Sequence, residues 1–188
     1  MNTAAVVLRP SRIDDAPVLA RLYVEQRAFL APFEPARPEW FFTEDGQRTV
    51  LRRDQELRAA GAAERLLIVR DGIVVGVLSI SHIVRGALES ASVGYFVARE
   101  HNGQGIATAA VGLAVEWAFE DAGLHRLEAG TLRDNRASQR VLERNHFTRI
   151  GIAERYLFIA GQWRDHVLFQ RTAEDEVATG RRPTPARG

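Results

Sequence analysis

Residues 92–108 read Ser-Val-Gly-Tyr-Phe-Val-Ala-Arg-Glu-His-Asn-Gly-Gln-Gly-Ile-Ala-Thr, and this stretch restricts the fold more than any other. A β-prone apolar run passes through a turn bearing Gly103 and Gly105 directly into a helix. Ile106, Ala109, Ala110, Leu113, Ala114, Trp117 and Ala118 recur at the helical period and share one face, with Gly123 as the stop. Such a turn aims several unpaired backbone N–H groups at one point, with the positive end of the helix dipole behind them. A phosphate or pyrophosphate suits that concavity without any lysine, and the two glycines let a ligand approach the backbone closely. A plain strand-to-helix turn has the same spacing.

The dinucleotide fingerprint is a poor match. Gly103-x-Gly105-x-x-Thr108 has threonine where the third glycine or alanine belongs, although Glu128 lies about 20 residues further on, as that motif wants. The preceding strands are joined as antiparallel hairpins, and too little chain follows Thr108 for two mononucleotide-binding halves.

Around this centre the chain alternates between the two periods. Residues 6–9 form a strand. Asp14 or Asp15 caps a helix with Pro17 in its first turn, reaching about Arg27. Thr43 caps a second helix, carried by Val50, Leu51 and Leu57 and stopped at Gly61. Strands 65–70 and 73–84 flank Asp71-Gly72, a strong hairpin signal, and strand 90–98 follows a turn at Arg85-Gly86. After the central helix come strand 126–132, a helix from Asn135 to about Asn145, and closing strands 147–159 and 162–171 around Ala160-Gly161. The order β-α-α-β-β-β-α-β-α-β-β predicts an α/β protein of the α+β kind, a mixed sheet with helices packed on it. Residues 1–171 read as a single domain without internal repeats. The tail, 172–188, is expected to be disordered at its end. Segment 28–42 is rich in proline and aromatics, including Phe29, Phe33, Trp40, Phe41 and Phe42, and is long for a connection without a function.

Composition narrows the chemistry. The 188 residues include no cysteine, and the 25 basic residues are all arginine. Thiol nucleophiles, disulfides and cysteine zinc sites are excluded, as are Schiff-base lysines and Walker-type loops. A formal charge of +1 gives no long-range pull toward nucleic acid or an acidic membrane. The N-terminus lacks the pattern of a signal peptide, and no stretch approaches a membrane span. A cytoplasmic protein with no nucleic-acid or membrane partner is expected. The five histidines show no paired ligand spacing, so no metal is expected either.

Asn102-Gly-Gln-Gly-Ile-Ala107 resembles the Gln/Arg-x-x-Gly-x-Gly/Ala signature of the GNAT superfamily of N-acetyltransferases. Three further segments resemble one branch of it, the ribosomal-protein-alanine N-acetyltransferases. They are Phe29-Leu-Ala-Pro-Phe-Glu-Pro-Ala-Arg37, Asn135-Arg-Ala-Ser-Gln-Arg-Val-Leu-Glu-Arg-Asn-His-Phe147 and Tyr156-Leu-Phe-Ile-Ala-Gly-Gln-Trp-Arg-Asp-His-Val-Leu-Phe169. The resemblance covers roughly residues 6–171, with the segments in the right order.

The resemblance implies the GNAT fold, a mostly antiparallel sheet splayed between two adjacent parallel strands, 90–98 and 126–132, with helices on both faces. It implies acetyl-coenzyme A as donor and direct attack by a primary amine, which agrees with the missing cysteine. Pantetheine would lie between the splayed strands, paired with the backbone of Phe96, Val97 and Ala98, and a nearby N–H would stabilise the oxyanion. Asn102, Gly103, Gln104, Gly105, Ile106, Ala107 and Thr108 would hold the pyrophosphate. Gly94 marks a bulge or a close backbone approach.

This chain departs from the family in places. Asn102 stands where the signature has glutamine or arginine. His146 stands where glycine ends the helix, so Asn145 or His146 must supply the left-handed cap. Leu142 occupies the position of a tyrosine general acid in many relatives. Ser138 is then the candidate proton donor near the sulfur, although a thiol of pKa about 8.5 leaves with little help. Asn135 reads equally as a helix cap and as a cofactor contact, and Ser138 also reads as a capping hydroxyl. Glu34 is the candidate base or anchor for the acceptor's ammonium, against a plain reading as a surface carboxylate. Glu89, Glu128 and His82 are weaker alternatives. His166, in an alternating strand, reads as structural, and no element places a Ser-His-Asp triad.

Together these readings describe an acetyl-CoA-dependent N-acetyltransferase acting on the N-terminal α-amino group of a ribosomal or similar protein. Segment 29–42 and hairpin 156–170 would form the acceptor groove. The competing readings are a small-molecule amine acceptor, such as an antibiotic, amino acid or polyamine, and a non-catalytic acetyl-CoA-binding module. The aromatic segment also suits a homodimer contact.

Overall fold

The computed structural model describes residues 5–173. Its strands are β1 (Val6–Pro10), β2 (Glu64–Arg70), β3 (Ile73–Val84), β4 (Ser90–Val97), β5 (Arg126–Leu132), β6 (Thr148–Ile159) and β7 (Gln162–Thr172). They form a sheet in the order β1-β2-β3-β4-β5-β7-β6. The α-helices are α1 (Ala16–Leu30), α2 (Glu44–Ala59), α3 (Ile106–Glu116) and α4 (Arg136–Arg144). This is the expected α+β architecture. Residues 174–188, most of the expected tail, lie outside the described residues. Among the described residues, no helix is long and apolar enough to cross a membrane.

β4 and β5 run parallel, and the other neighbouring strands run antiparallel. The parallel pairing covers Ser90↔Arg126, Ala91↔Leu127 and Ser92↔Glu128, after which the two strands part. Beyond that point β4 stays with β3 as far as Val97, and β5 stays with β7 as far as Leu132. Each strand keeps its antiparallel partner, and the slightly weaker parallel ladder is the one that gives way.

Two cores sandwich the sheet. On one face α1 and α2 bury Leu19, Leu51, Phe41 and Leu67; on the other, α3 and α4 bury Leu78, Val111, Leu127 and Leu142. Each such burial contributes about 2 kcal/mol, and a one-residue slip of register would forfeit several at once. In β4, Ala91, Val93 and Val97 face the α3/α4 core while Phe96 faces α1 and α2.

Local chemistry explains where the elements begin and end. Thr43 caps α2 as expected, its Oγ1 accepting the Gly46 N–H at 3.0 Å. The expected aspartate cap on α1 is absent. Ile13–Asp15 is instead a 3-10 turn, and the Asp15 carboxylate bonds Arg9 at 2.6 and 2.8 Å and the Arg12 N–H at 2.8 Å. A charged partner outcompetes a lone backbone N–H. Segment 28–42 is less irregular than expected, since its first residues complete α1 and Glu39–Phe42 close a 3-10 turn. The helix after the glycine turn also differs: it is regular to Glu116, and Trp117–Asp121 widens into a π-helical turn before Gly123.

His146, rather than Asn145, supplies the left-handed cap of α4, with φ 61°. The Phe147 N–H donates to the Leu142 carbonyl and the His146 N–H to that of Glu143, both at 3.0 Å, with Leu142 and Phe147 buried. This is the glycine-type terminus with its apolar contact, and histidine is among the residues that enter the left-handed region with least strain.

Candidate active site

Where β4 and β5 part, a cleft of about 310 Å³ opens between Gly94–Phe96 on one side and Ala129–Leu132 on the other. Backbone alternation decides which polar groups reach it. The Ala98 N–H donates to the Val75 carbonyl at 2.8 Å, so Ala98, and with it Phe96, turns its backbone groups toward β3. The backbones of Phe96, Val97 and Ala98, expected to pair with pantetheine, therefore divide between the two sides of β4. Of the three, Val97 presents backbone groups to the gap, and Tyr95 joins it. On β5 the Ala173 N–H donates to the His125 carbonyl, so alternate residues face β7 and Gly130 faces the gap. Gly94 stands in regular register opposite Ser79, which excludes a bulge there. A Cβ at Gly94 would meet nothing within 4 Å, which suits a close approach by a ligand.

Beyond β4, Arg99–His101 make a 3-10 turn that leads into the glycine turn. Gly103 and Gly105 have φ of 75° and 77°, and no side chain caps α3. The first-turn N–H groups at Ile106, Ala107 and Thr108 therefore lack an intrahelical acceptor. A Cβ at Gly103 or Gly105 would also meet nothing within 4 Å. A phosphate fits this open, donor-lined concavity. Asn102 is exposed at its edge. The Gln104 side chain is engaged elsewhere, donating to the Glu100 carbonyl at 3.1 Å and accepting from Arg70. Arg70, which no local motif announces, thereby brings a positive charge beside the turn. Asn145 is a second such residue. Its amide donates to the Thr108 carbonyl at 3.1 Å and ties the start of α3 to the end of α4.

At the start of α4, Asn135 Oδ1 accepts the Ser138 N–H at 3.1 Å, so Asn135 caps the helix while also lining the cleft. Ser138 Oγ lies 3.0 Å from the Tyr95 hydroxyl, which is also 3.3 Å from the Ser138 carbonyl. Burial pushes the Tyr95 phenol up to about 12, with the Ser138 bond opposing. Leu142 is fully buried and offers no hydroxyl, but Tyr95 brings one to the same cleft from β4.

On the α1/α2 side, Glu34 pairs with Arg37 at 3.1 Å, and the Arg37 guanidinium sits 4.6 Å over the Phe41 ring. Deeper, Arg65 donates to the Tyr23 hydroxyl at 3.3 Å. Its Nε meets Asp54 at 2.6 Å as a charge contact without hydrogen-bond alignment. Burial raises both the Tyr23 phenol and the Asp54 carboxyl, with Arg65 opposing each. Glu34, Tyr23 and Arg65 all line the cleft. Glu89, Glu128 and His82 do not; Glu89 is occupied by the Gly86 N–H and Arg85. His166 does line it and is 3% exposed. Among the described residues no group of three His, Cys, Asp or Glu side chains is placed to hold a metal ion.

A split sheet, a turn rich in free N–H groups beyond one parted strand and a cleft of mixed polar and apolar lining between the two agree with the GNAT architecture that the sequence resembles. The sequence profile of the acetyltransferase (GNAT) domain matches residues 5–148, and the chain belongs to that family. Acetyl transfer is its chemistry. It is 37% identical to the probable N-acetyltransferase YjcK of Bacillus subtilis, over 91% of this chain and 96% of the relative. It is 33% identical to the [ribosomal protein uS5]-alanine N-acetyltransferase of Escherichia coli, over 93% and 91%. The solved structure of Mycobacterium smegmatis RimJ in complex with CoA-disulfide superposes with a TM-score of 0.89 at 34% identity, covering 95% of this chain and 91% of that one.

Proposed function

We propose that this enzyme moves acetyl from acetyl-coenzyme A to the α-amino group of a protein N-terminus, that of a ribosomal or similar protein. The observation that carries the reading is a cleft lined by Glu34 and Arg37 that opens where β4 and β5 part, with the uncapped start of α3 following β4 in the chain. The likeness to an alanine N-acetyltransferase over nearly the whole chain supports the choice of acceptor.

Acetyl-coenzyme A supplies the acetyl group as a thioester. The N–H groups of the turn from Gly103 to Thr108 take the pyrophosphate, with Arg70 adding charge nearby. The free backbone edge at Tyr95 and Val97 pairs with the pantetheine arm, and a donor on that edge polarises the carbonyl. Glu34 anchors the acceptor's ammonium at the cleft mouth, where Phe33 is 41% exposed and gives an apolar surface to a peptide. Ser138, oriented by Tyr95 and Asn135, stands on the leaving-group side.

The test is thiol release from acetyl-coenzyme A with peptides beginning in alanine or serine, free amino acids, polyamines and aminoglycosides, alongside calorimetry of coenzyme A. Turnover confined to the peptides is the expected result. Turnover on a small amine alone overturns the protein acceptor and keeps the chemistry. Tight binding without turnover of any acceptor indicates a binding module instead.

A further inference from the structure

We propose that His166 Nε2 takes the proton from the acceptor's ammonium, a role that rests on the acetyl-transfer reading above. Register places the ring. His166 pairs with Leu132 of β5 and Ala153 of β6, while its neighbour Val167 belongs to the α3/α4 core. Alternation therefore turns His166 to the other face of the sheet, toward Glu34 and the α1/α2 side. Tyr95, alternating with Phe96, lies with Ser138 on the α3/α4 face. The sheet thus separates the amine side from the leaving-group side, and the cleft joins them.

Hydrogen bonding sets the tautomer. His166 Nδ1 lies 3.1 Å from the Arg164 carbonyl, and a carbonyl can only accept, so the neutral ring carries its proton on Nδ1. Nε2 is left as a proton acceptor, without a hydrogen bond to any described residue. Beside it on β5, Gly130 has no side chain. A Cβ there would stand in ordinary contact with Leu168, His166 Cδ2 and Tyr156, at 3.6–3.7 Å, and Gly130 and His166 both line the cleft.

The ring is also held in place. Between Ala153↔His166 and Leu157↔Arg164, β6 bulges with Glu154, Arg155 and Tyr156 opposite the single residue Asp165. Arg155 takes φ 50°, and its N–H donates to Asp165 Oδ1 at 3.0 Å. The bulge lays Tyr156 against His166, ring centroids 5.3 Å apart. Glu34 is less suited to the proton transfer because Arg37 already occupies its carboxylate, which leaves it the anchoring role.

The step balances. One ammonium proton passes to Nε2, the freed nitrogen lone pair forms the C–N bond, and the C–S bond breaks. The second N–H proton ends on the departing sulfur, and the imidazolium returns its proton to solvent. The charged or titratable groups around the ring are Glu34 and Arg37 after α1, Tyr23 of α1, Arg65 of β2, Tyr156 of β6, and Arg164 and Asp165 of β7 itself. Glu34 is paired with Arg37, Arg65 with Asp54, Arg164 with Asp134 and Asp165 with Arg133. No unbalanced cation among them opposes a transient imidazolium.

The test is His166→Asn in the full chain, since asparagine retains a donor for the Arg164 carbonyl but has no Nε2. At about pH 6.5, turnover of the best acceptor should fall ~100-fold with coenzyme A affinity within about 2-fold. The deficit should shrink to below about 5-fold near pH 9, because an α-amine of pKa about 7.7–8.0 then arrives already deprotonated. Wild-type activity in the variant, or a deficit that does not change with pH, overturns the assignment. Nitrogen NMR of labelled histidine in the wild-type chain reads the tautomer without any acceptor. A protonated Nδ1 and a bare Nε2 are expected, and a proton on Nε2 overturns the proposal. If no acceptor in the panel turns over, the acceptor reading fails and the tautomer still decides for or against His166.

Discussion

The turn at Gly103 and Gly105 is made of backbone, whereas the wall across the sheet from it is made of side chains. Glu34, Arg65 and His166 come from the segment after α1, from β2 and from β7, with three strands between the last two, and they line one cleft because β4 and β5 part between them. The first kind of site is indifferent to most side chains and depends on the left-handed backbone at Gly103 and Gly105. Asn102 can replace a longer residue there, and Gln104 can turn away to Arg70, without closing the concavity. The second kind depends on the identity and support of each member. Glycine acts differently at two places: a Cβ at Gly105 would meet nothing within 4 Å, whereas at Gly46, in α2, glycine leaves room for the protein's own backbone.

Substitutions can break this contrast. The largest effect is expected for Gly46→Ala, whose Cβ would lie 1.8 Å from the Trp40 carbonyl oxygen, a backbone atom with little freedom to retreat. Loss of about 3 kcal/mol is expected in urea unfolding, with acceptor KM raised in the protein that remains folded. An unchanged midpoint would show that the aromatic segment is not fixed through this contact. Gly105→Val comes next. The residue sits at φ 77°, and valine there costs about 1–2 kcal/mol in backbone strain, so some stability will be lost. Calorimetry should also show coenzyme A affinity falling by about 100-fold, roughly 2.7 kcal/mol. Retained affinity would remove the turn from donor binding.

Glu34→Gln sharpens the other side. Losing one charge-assisted bond to the ammonium should lower acceptor kcat/KM about 20-fold and leave coenzyme A affinity unaltered. Equal losses in both would place Glu34 in general packing. Tyr95→Phe should have the smallest effect at neutral pH, about 1 kcal/mol for the bond to Ser138, and its signature lies in alkali. Burial raises the folded-state phenol from 10.0 to about 12, so its stabilising contribution is complete below pH 10 and is lost as pH rises toward 12. Allowing for solvent in the cleft, wild-type stability should drop by about 1–2 kcal/mol more than the variant's over that interval. Parallel pH curves would mean that the hydroxyl is solvated rather than buried.

Local signals were legible where the answer lay within one turn of the chain. Thr43 caps α2 and Asp71-Gly72 turns the hairpin because neighbours in sequence supply the partners. Asp15 does not cap α1 because its partner, Arg9, lies on the strand before it and offers a charge that the helix start does not. Asn145 was weighed as a cap, but its side chain reaches Thr108, far away in sequence, while His146 takes the strained position. Leu142 on α4 offers no hydroxyl, and Tyr95, which lines the same cleft with one, belongs to β4, far away in sequence. The structural reading of His166 followed from its alternating strand, and nothing local tells that its ring edge faces Gly130.

Glycine spacing and hydrophobic period were enough for the order of elements, the family and the turn at Gly103 and Gly105, because they act over a few residues and need no distant partner. Tertiary structure alone decided which strand edges stay unpaired and which side chains share the cleft. Those depend on β4 and β5 parting after Ser92 and Glu128, and on a bulge in β6 that fixes Tyr156 against His166. Both are competitions between strand pairings, settled by the packing of the whole sheet.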